Sequence, residues 1–348
     1  MDTTIYAFYS ELDEIEKLIL YFETEKKLAQ EFEISESQND IFLNELSLKL
    51  KNFRISKLKF NYNSIIISLY GSFERFIELT IINYLEIINE IVKEYLKLPN
   101  IILKKHTPLS ITLINKIEQS KYKGPLTKEI IIRNLHTCIN TIESYSLNKE
   151  AFSQHTANFR IQVIDENFKC IGINDLSENV IKQDVFQKYL INQKGIDPSS
   201  DLLNGTDNLQ LINDLAELRN YVAHGIENEI IENNILLEFI QFFRTFSSAL
   251  IDVLKDNILA LNIEFNGLML GKITNTYSSG SIICVYTNGH TIKKNQTIFA
   301  KSTSSIISAK ILSIQLNGDN IDISEGENIE ISIKINSRFK DNYTLYTF

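Results

Sequence analysis

The stretch Asp214-Leu215-Ala216-Glu217-Leu218-Arg219-Asn220-Tyr221-Val222-Ala223-His224-Gly225 decides how the rest of the chain is read. Leu211, Leu215, Leu218 and Val222 recur at steps of four, three and four, which predicts one apolar stripe on an α-helix over residues 207–223. Asp207 is placed to cap its start and Gly225 to end it in a left-handed turn. Arg219 and His224 are five residues apart. At 100° per residue, that spacing sets them about 140° apart around a regular helix, so they do not share a face. Two solutions are open: the helix loosens near Gly225 and swings His224 round, or two copies of the helix meet on a two-fold axis and line one cleft.

Upstream, residues 64–98 predict a long core helix with Ile66, Leu69, Phe73, Phe76, Ile77, Ile81 and Leu85 on a broad apolar face, stopped by Pro99. Residues 9–31 predict an amphipathic helix through Leu12, Ile15, Leu18, Ile19 and Phe22, and residues 39–51 a second one. The segment from Lys49 to Phe60 is basic (Lys49, Lys51, Arg54, Lys57, Lys59), either as a solvated face or as part of an RNA-facing patch. Shorter helices are expected at 109–120, 127–146 and 177–193, with loops marked by Pro108, by Gly124-Pro125 and by the polar run 148–158. Downstream, residues 229–258 predict a last long helix with Leu237, Ile240, Phe243, Phe246 and Leu250 on one side.

After about Leu261 the pattern changes. Six of the chain's 12 glycines fall in this final quarter, and the hydrophobic period drops to two, as in residues 281–286, 309–314 and 329–333. Asn288-Gly289 and Asn317-Gly318 are turn signals. Six or seven short strands forming a small β-barrel are expected. The fold class is therefore multidomain and mainly α: a helical extension over 1–60, a helical bundle over 61–260 and a β-barrel over 261–348.

Composition narrows the function classes. Hydrophobic residues make up 44% and charged residues 23%, proportions that exclude wholesale disorder. The net charge of −9 excludes a protein basic over its whole surface, though a local basic patch can still serve a small RNA site. Cys138, Cys170 and Cys284 form no CxxC pair, which suits a reducing cytoplasm rather than a disulfide framework. The five histidines include no HxH or HExxH, so no metal and no cofactor are expected. The acidic N-terminus is no signal peptide, and no clean apolar run of 18 residues predicts a membrane span. Arg133-Asn134-Leu135-His136 has a spacing of three inside an unbroken helix pattern and is read as structural.

Arg219-Asn220-x-x-x-His224, within the wider form L-R-N-x-x-A-H-G, closely resembles the RNxxxH signature of HEPN domains (higher eukaryote and prokaryote nucleotide-binding). Tyr70-Gly71-Ser72-Phe73-Glu74-Arg75-Phe76 resembles the upstream helix that packs beside the motif helix in that family. The stretch from Gln154 to Gly172 looks like part of the polar insertion found in several prokaryotic members. The resemblance covers residues 61–258. It implies a metal-independent endoribonuclease acting as a homodimer, of the kind that serves as a toxin or an antiphage-defence effector, and it favours the two-fold solution.

The residue types suit that chemistry. RNA carries its own nucleophile, the 2′-hydroxyl, and an imidazole with its ordinary pKa near 6.5 can take that proton at neutral pH. An arginine fork can hold the phosphoryl oxygens that gain charge in the transition state. On this reading Arg219 and His224 are catalytic. Asn220 orients His224 or holds a phosphate oxygen, Glu74 orients Arg219 across the two helices, and Tyr221 packs in the dimer interface or stacks on a base. The expected partners are an RNA substrate, a second copy of the chain, and a separate antitoxin or trigger protein. The alternative is a non-catalytic HEPN dimer that scaffolds RNA or protein.

The final segment has a resemblance of its own. Lys294 to Ile298, Ala309 to Gln315 and Ile323 to Ile331 are similar in order to the second-domain barrel of translation elongation factors such as elongation factor Tu. No GxxxxGK[ST] loop occurs, so the chain is not a GTPase. A sensing or targeting role for the barrel is expected, toward tRNA, the ribosome, a phage protein or an inhibitor.

Overall fold

The structure is a computed structural model that describes residues 1–34, 41–118, 126–140, 145–155, 157–225, 230–302 and 305–348. The expected turn at Gly124-Pro125 lies outside them. The chain divides into two units, Met1–Leu254 and Lys255–Phe348.

The first unit is helical: α1 (Asp2–Ile34), α2 (Ile41–Ile91), α3 (Asn100–Lys116), α4 (Lys128–Ile139), α5 (Lys149–Phe152), α6 (Ile161–Cys170), α7 (Leu176–Ile181), α8 (Asp184–Asn192), α9 (Gln210–His224) and α10 (Asn233–Asn266), the last running on into the second unit. Two of the expected helices, 39–51 and 64–98, are one continuous helix, α2, so residue 60 falls inside a helix and not at a break. That helix ends at Ile91, ahead of the expected stop at Pro99.

The heptad-like apolar rows meet as anticipated. All seven expected core positions of α2, from Ile66 to Leu85, are buried. Phe8 of α1 stacks on Phe76 with ring centroids 4.5 Å apart, and Phe73 meets Phe243 of α10 at 4.6 Å. Buried aromatic pairs of this kind contribute about 0.5–1.5 kcal/mol beyond their area. At the rim, Arg244 pairs with Asp13 and with Glu16 (3.0 Å), and Arg75 with Glu11 (2.9 Å). Of the basic segment, Lys49 pairs with Glu45 and Lys57 with Glu25, so these two cations are answered by the chain's own carboxylates.

Three expectations are corrected. Pro108 sits inside α3 and marks no loop. An interior proline costs about 3 kcal/mol, and α3 offsets it by burying Ile102, His106, Ser110 and Leu113 along the same helix. The single helix expected at 177–193 is broken into α7 and α8, while α5 and α6 form in stretches expected to be loop or left unassigned. Asp207 does not cap α9. It lies in a 3-10 turn, Thr206–Leu209, and Leu209 takes the capping position with no side-chain bond.

The second unit contains β1 (Leu268–Tyr277), β2 (Ile282–Asn288), β3 (Ile292–Lys293), β4 (Thr297–Lys301), β5 (Ile306–Leu316), β6 (Asp319–Ile321), β7 (Ile323–Ser324), β8 (Glu327–Ile335) and β9 (Thr344–Thr347). Six of them pair in the order β4-β9-β1-β2-β8-β5, and a β4–β5 pairing closes the ring into a barrel, with β6 added beside β5. Closure removes the free edges that a small open sheet would expose. Alternate residues fill the interior, among them Ile273, Val285, Ile298, Ile311, Ile331 and Leu345. The β5–β6 hairpin turns at Asn317 (φ 52°) and Gly318 (φ 92°), the left-handed pair that a two-residue turn requires. At Gly271 (φ 156°) a Cβ would lie 2.1 Å from the Tyr286 carbonyl oxygen, so only glycine lets these strands approach.

Candidate functional site

α9 runs as an unbroken helix through His224 and stops at Gly225, whose φ of 66° gives the left-handed cap. No loosening swings His224 round. The buried face of α9 is Ile212, Leu215 and Ala216, not the expected stripe. Of that stripe only Leu215 is buried, and Leu211, Leu218 and Val222 are half-exposed. The helix carries apolar residues on two faces, and the periodicity picked the wrong one for the core.

Arg219 is four residues beyond Leu215 and so projects near the core side. Its guanidinium lies over the ring of Tyr70 on α2, 5.5 Å from the centroid. A cation–π contact of this sort is worth about 0.5–2 kcal/mol depending on desolvation. His224 is seven residues beyond Glu217 and three beyond Tyr221, so these three share the opposite, outer face. Tyr221 donates its hydroxyl to Glu217 (2.9 Å). His224 is exposed, and no side-chain hydrogen bond joins it to another described residue.

Tyr70 is the centre of a cluster that spacing rules could not show. Its hydroxyl accepts the backbone N–H of Phe159 at 2.9 Å. Burial, above all, pushes its phenol well above the ordinary value, with the negative charge of Glu74 adding to the rise. His155, Asn158, Phe159 and Ile161 stitch α2 to α9. His155 Nε2 lies 2.9 Å from Glu78 Oε1 and 3.6 Å from Glu74 Oε1. Asn158 donates to the side-chain oxygen of Asn220, and the Ile161 N–H donates to Asn213 at 3.1 Å. Burial works against a charge on His155, yet the carboxylates of Glu74 and Glu78 outweigh it and raise the imidazole to about 9. It is therefore a cation at neutral pH.

The structure thus brings together Glu74, Arg219 and Asn220, all around Tyr70, His155 and Asn158. Glu74 lies 3.6 Å from His155 and one helical turn from Tyr70, the ring on which Arg219 lies. Asn220 has its oxygen committed to Asn158, with Arg219 a further 3.5 Å donor. His224 and Tyr221 stand apart on the outer face. His155 was missed as a site residue. The one available signal was the pair Glu74 and Glu78, two carboxylates one helical turn apart beside the apolar face of α2. By contrast, His106 is a structural histidine, held low at about 4 by burial and accepting the Asn148 N–H at 3.0 Å.

This geometry makes a prediction. In Tyr70→Phe the Phe159 N–H loses its partner, at a cost of about 1–3 kcal/mol for the buried donor. Hydrogen exchange at residues 157–161 is expected to accelerate, and unchanged exchange there would show that Tyr70 does not hold the segment.

A helical unit in which an RNxxxH helix packs its arginine on a long upstream helix defines a HEPN domain. More closely, the family model RiboL-PSP-HEPN matches residues 10–256, and the chain belongs to that family. No match was found among curated proteins. Among solved structures, the C-terminal domain of a Geobacillus thermoleovorans protein named as a U32 peptidase is 10% identical, with 22% of this chain and 86% of that one covered and a TM-score of 0.20. The selenomethionine variant of that domain is 11% identical, covering 23% and 99%, with a TM-score of 0.21. Scores this low say nothing about this chain. Among the described residues no helix is long and apolar enough to cross a membrane.

Proposed function

We propose that this protein is a metal-independent endoribonuclease whose cutting site is completed by two copies of the chain. The observation that carries the reading is the divergence of an intact pair. Arg219 is fixed on Tyr70 near the core side of α9, while His224 projects from its outer face. A two-fold axis beside α9 would set the histidine of one protomer against the arginine of its partner, because such an interface is self-complementary. Leu218 and Val222, half-exposed on the same helix, supply apolar surface for that contact.

In the assembled site an imidazole at 224 takes the proton of the 2′-hydroxyl, and the guanidinium at 219 holds the non-bridging oxygens as charge builds on the phosphoryl group. The products are a 2′,3′-cyclic phosphate and a 5′-hydroxyl. DNA, which lacks the nucleophile, is not cut. Such an activity harms its own cell if unchecked, so the role is that of a toxin or antiphage effector in the cytoplasm, controlled by a separate antitoxin or trigger. Labelled RNA incubated with the protein in EDTA should be cleaved to cyclic-phosphate ends; absence of cleavage under every activating condition would count against the reading.

The non-catalytic scaffold draws on one observation: no described residue orients His224 within its own chain, as a general base usually requires. It predicts that the protein retains bound RNA or a partner in cells without any loss of RNA.

A further inference from the structure

Glu74 and Glu78 are one turn apart on α2 and present their carboxylates on one face. His155 comes from the segment that crosses that face. Its Nδ1 donates to the Ala157 carbonyl at 2.8 Å, which orients the ring and leaves Nε2 directed at both carboxylates. Its ring packs on Phe159 with centroids 4.1 Å apart, and only 13% of the side chain is exposed. The three donor atoms lie within 4.8 Å of one another.

We propose that Glu74, Glu78 and His155 bind one divalent first-row cation of the Zn2+ or Mn2+ type. An ion about 2.1 Å from each donor would subtend about 90° across the 2.9 Å edge between His155 and Glu78 and about 120° across the 3.6 Å edge to Glu74. Those are coordination angles, and the third edge, between Glu74 and Glu78, is within 4.8 Å. The donor set, one imidazole nitrogen and two carboxylate oxygens, suits a borderline ion better than Ca2+, which takes six to eight oxygens. The backbone carbonyl behind Nδ1 is the outer partner that metal-bound histidines ordinarily have. The ion takes the place of the proton that Nε2 now shares with the carboxylates, and the fourth position is left to water. Held through Glu74, it would sit one helical turn from Tyr70, the ring under Arg219. This is a structural or regulatory site distinct from the cutting chemistry, which needs no metal.

The test uses the full chain stripped with a chelator and titrated with Zn2+ by calorimetry. Wild type should bind one ion per chain that Glu78→Gln and His155→Asn each bind about tenfold more weakly or worse. Zn2+ should also raise the melting temperature of wild type and not of the variants. A zinc-soaked crystal of wild type provides a second readout that does not depend on the folding of any variant: an anomalous peak bonded to His155 Nε2 and both carboxylates is expected. Equal titration by all three proteins, or no peak between these residues, overturns the proposal. Cleavage by the stripped protein is measured separately, so failure here leaves the ribonuclease reading standing.

Discussion

His224→Ala is expected to cut RNA about 100- to 10,000-fold more slowly than the wild type, the range over which a positioned general base acts. The fold should not register the change. His224 is exposed at the last position of α9, and the cap at Gly225 is made by backbone groups that the substitution leaves alone. Its stability should stay within about 0.5 kcal/mol of wild type, as for surface changes generally. Single-turnover cleavage and thermal unfolding of the same preparation separate the two effects. A variant that cuts like the wild type would remove His224 from the chemistry, and one that unfolds early would make it structural.

Arg219→Ala should lower the cleavage rate about 100- to 1,000-fold, the loss seen when one preorganised donor to a developing oxyanion is removed. Arg219→Lys should rescue little of it. An ammonium is a point charge without the planar fork, and it stacks less well on the Tyr70 ring. Here the fold should respond slightly, by about 0.5–1 kcal/mol, because the cation–π contact is lost. Both variants should keep the wild-type dimer in sedimentation. Full activity in Arg219→Lys would mean that the site needs a charge but no bidentate geometry, and the mechanism would have to change.

What the sequence disclosed follows from the range over which each force acts. The core face of α2 from Ile66 to Leu85 and the period-two strands of the barrel are local patterns, and they are where they were expected. So is Gly225, whose left-handed turn is a local need. Pro108 misled because its local cost is overcome by burial of α3 against residues far along the chain. The face of α9 misled because Ile212 and Leu218 are equally apolar, and only the packed neighbours decide which is buried. His155 was invisible because its partners Glu74 and Glu78 lie about eighty residues earlier, and no spacing rule reaches that far. The motif itself was legible, but the sequence left open how its two side chains meet. α9 is unbroken through His224, so the helix does not loosen to swing that side chain round, and the proposal rests on the two-fold route.

The most direct test of that central claim mixes the two dead proteins. Arg219→Ala chains and His224→Ala chains, differently tagged and allowed to exchange, should regain activity, because a mixed dimer pairs the intact arginine of one protomer with the intact histidine of its partner. Equal mixing should restore about one quarter of wild-type cleavage, since half of the dimers are mixed and each holds one complete site. Mixed dimers recovered through both tags yet no more active than either parent would contradict a site shared between protomers.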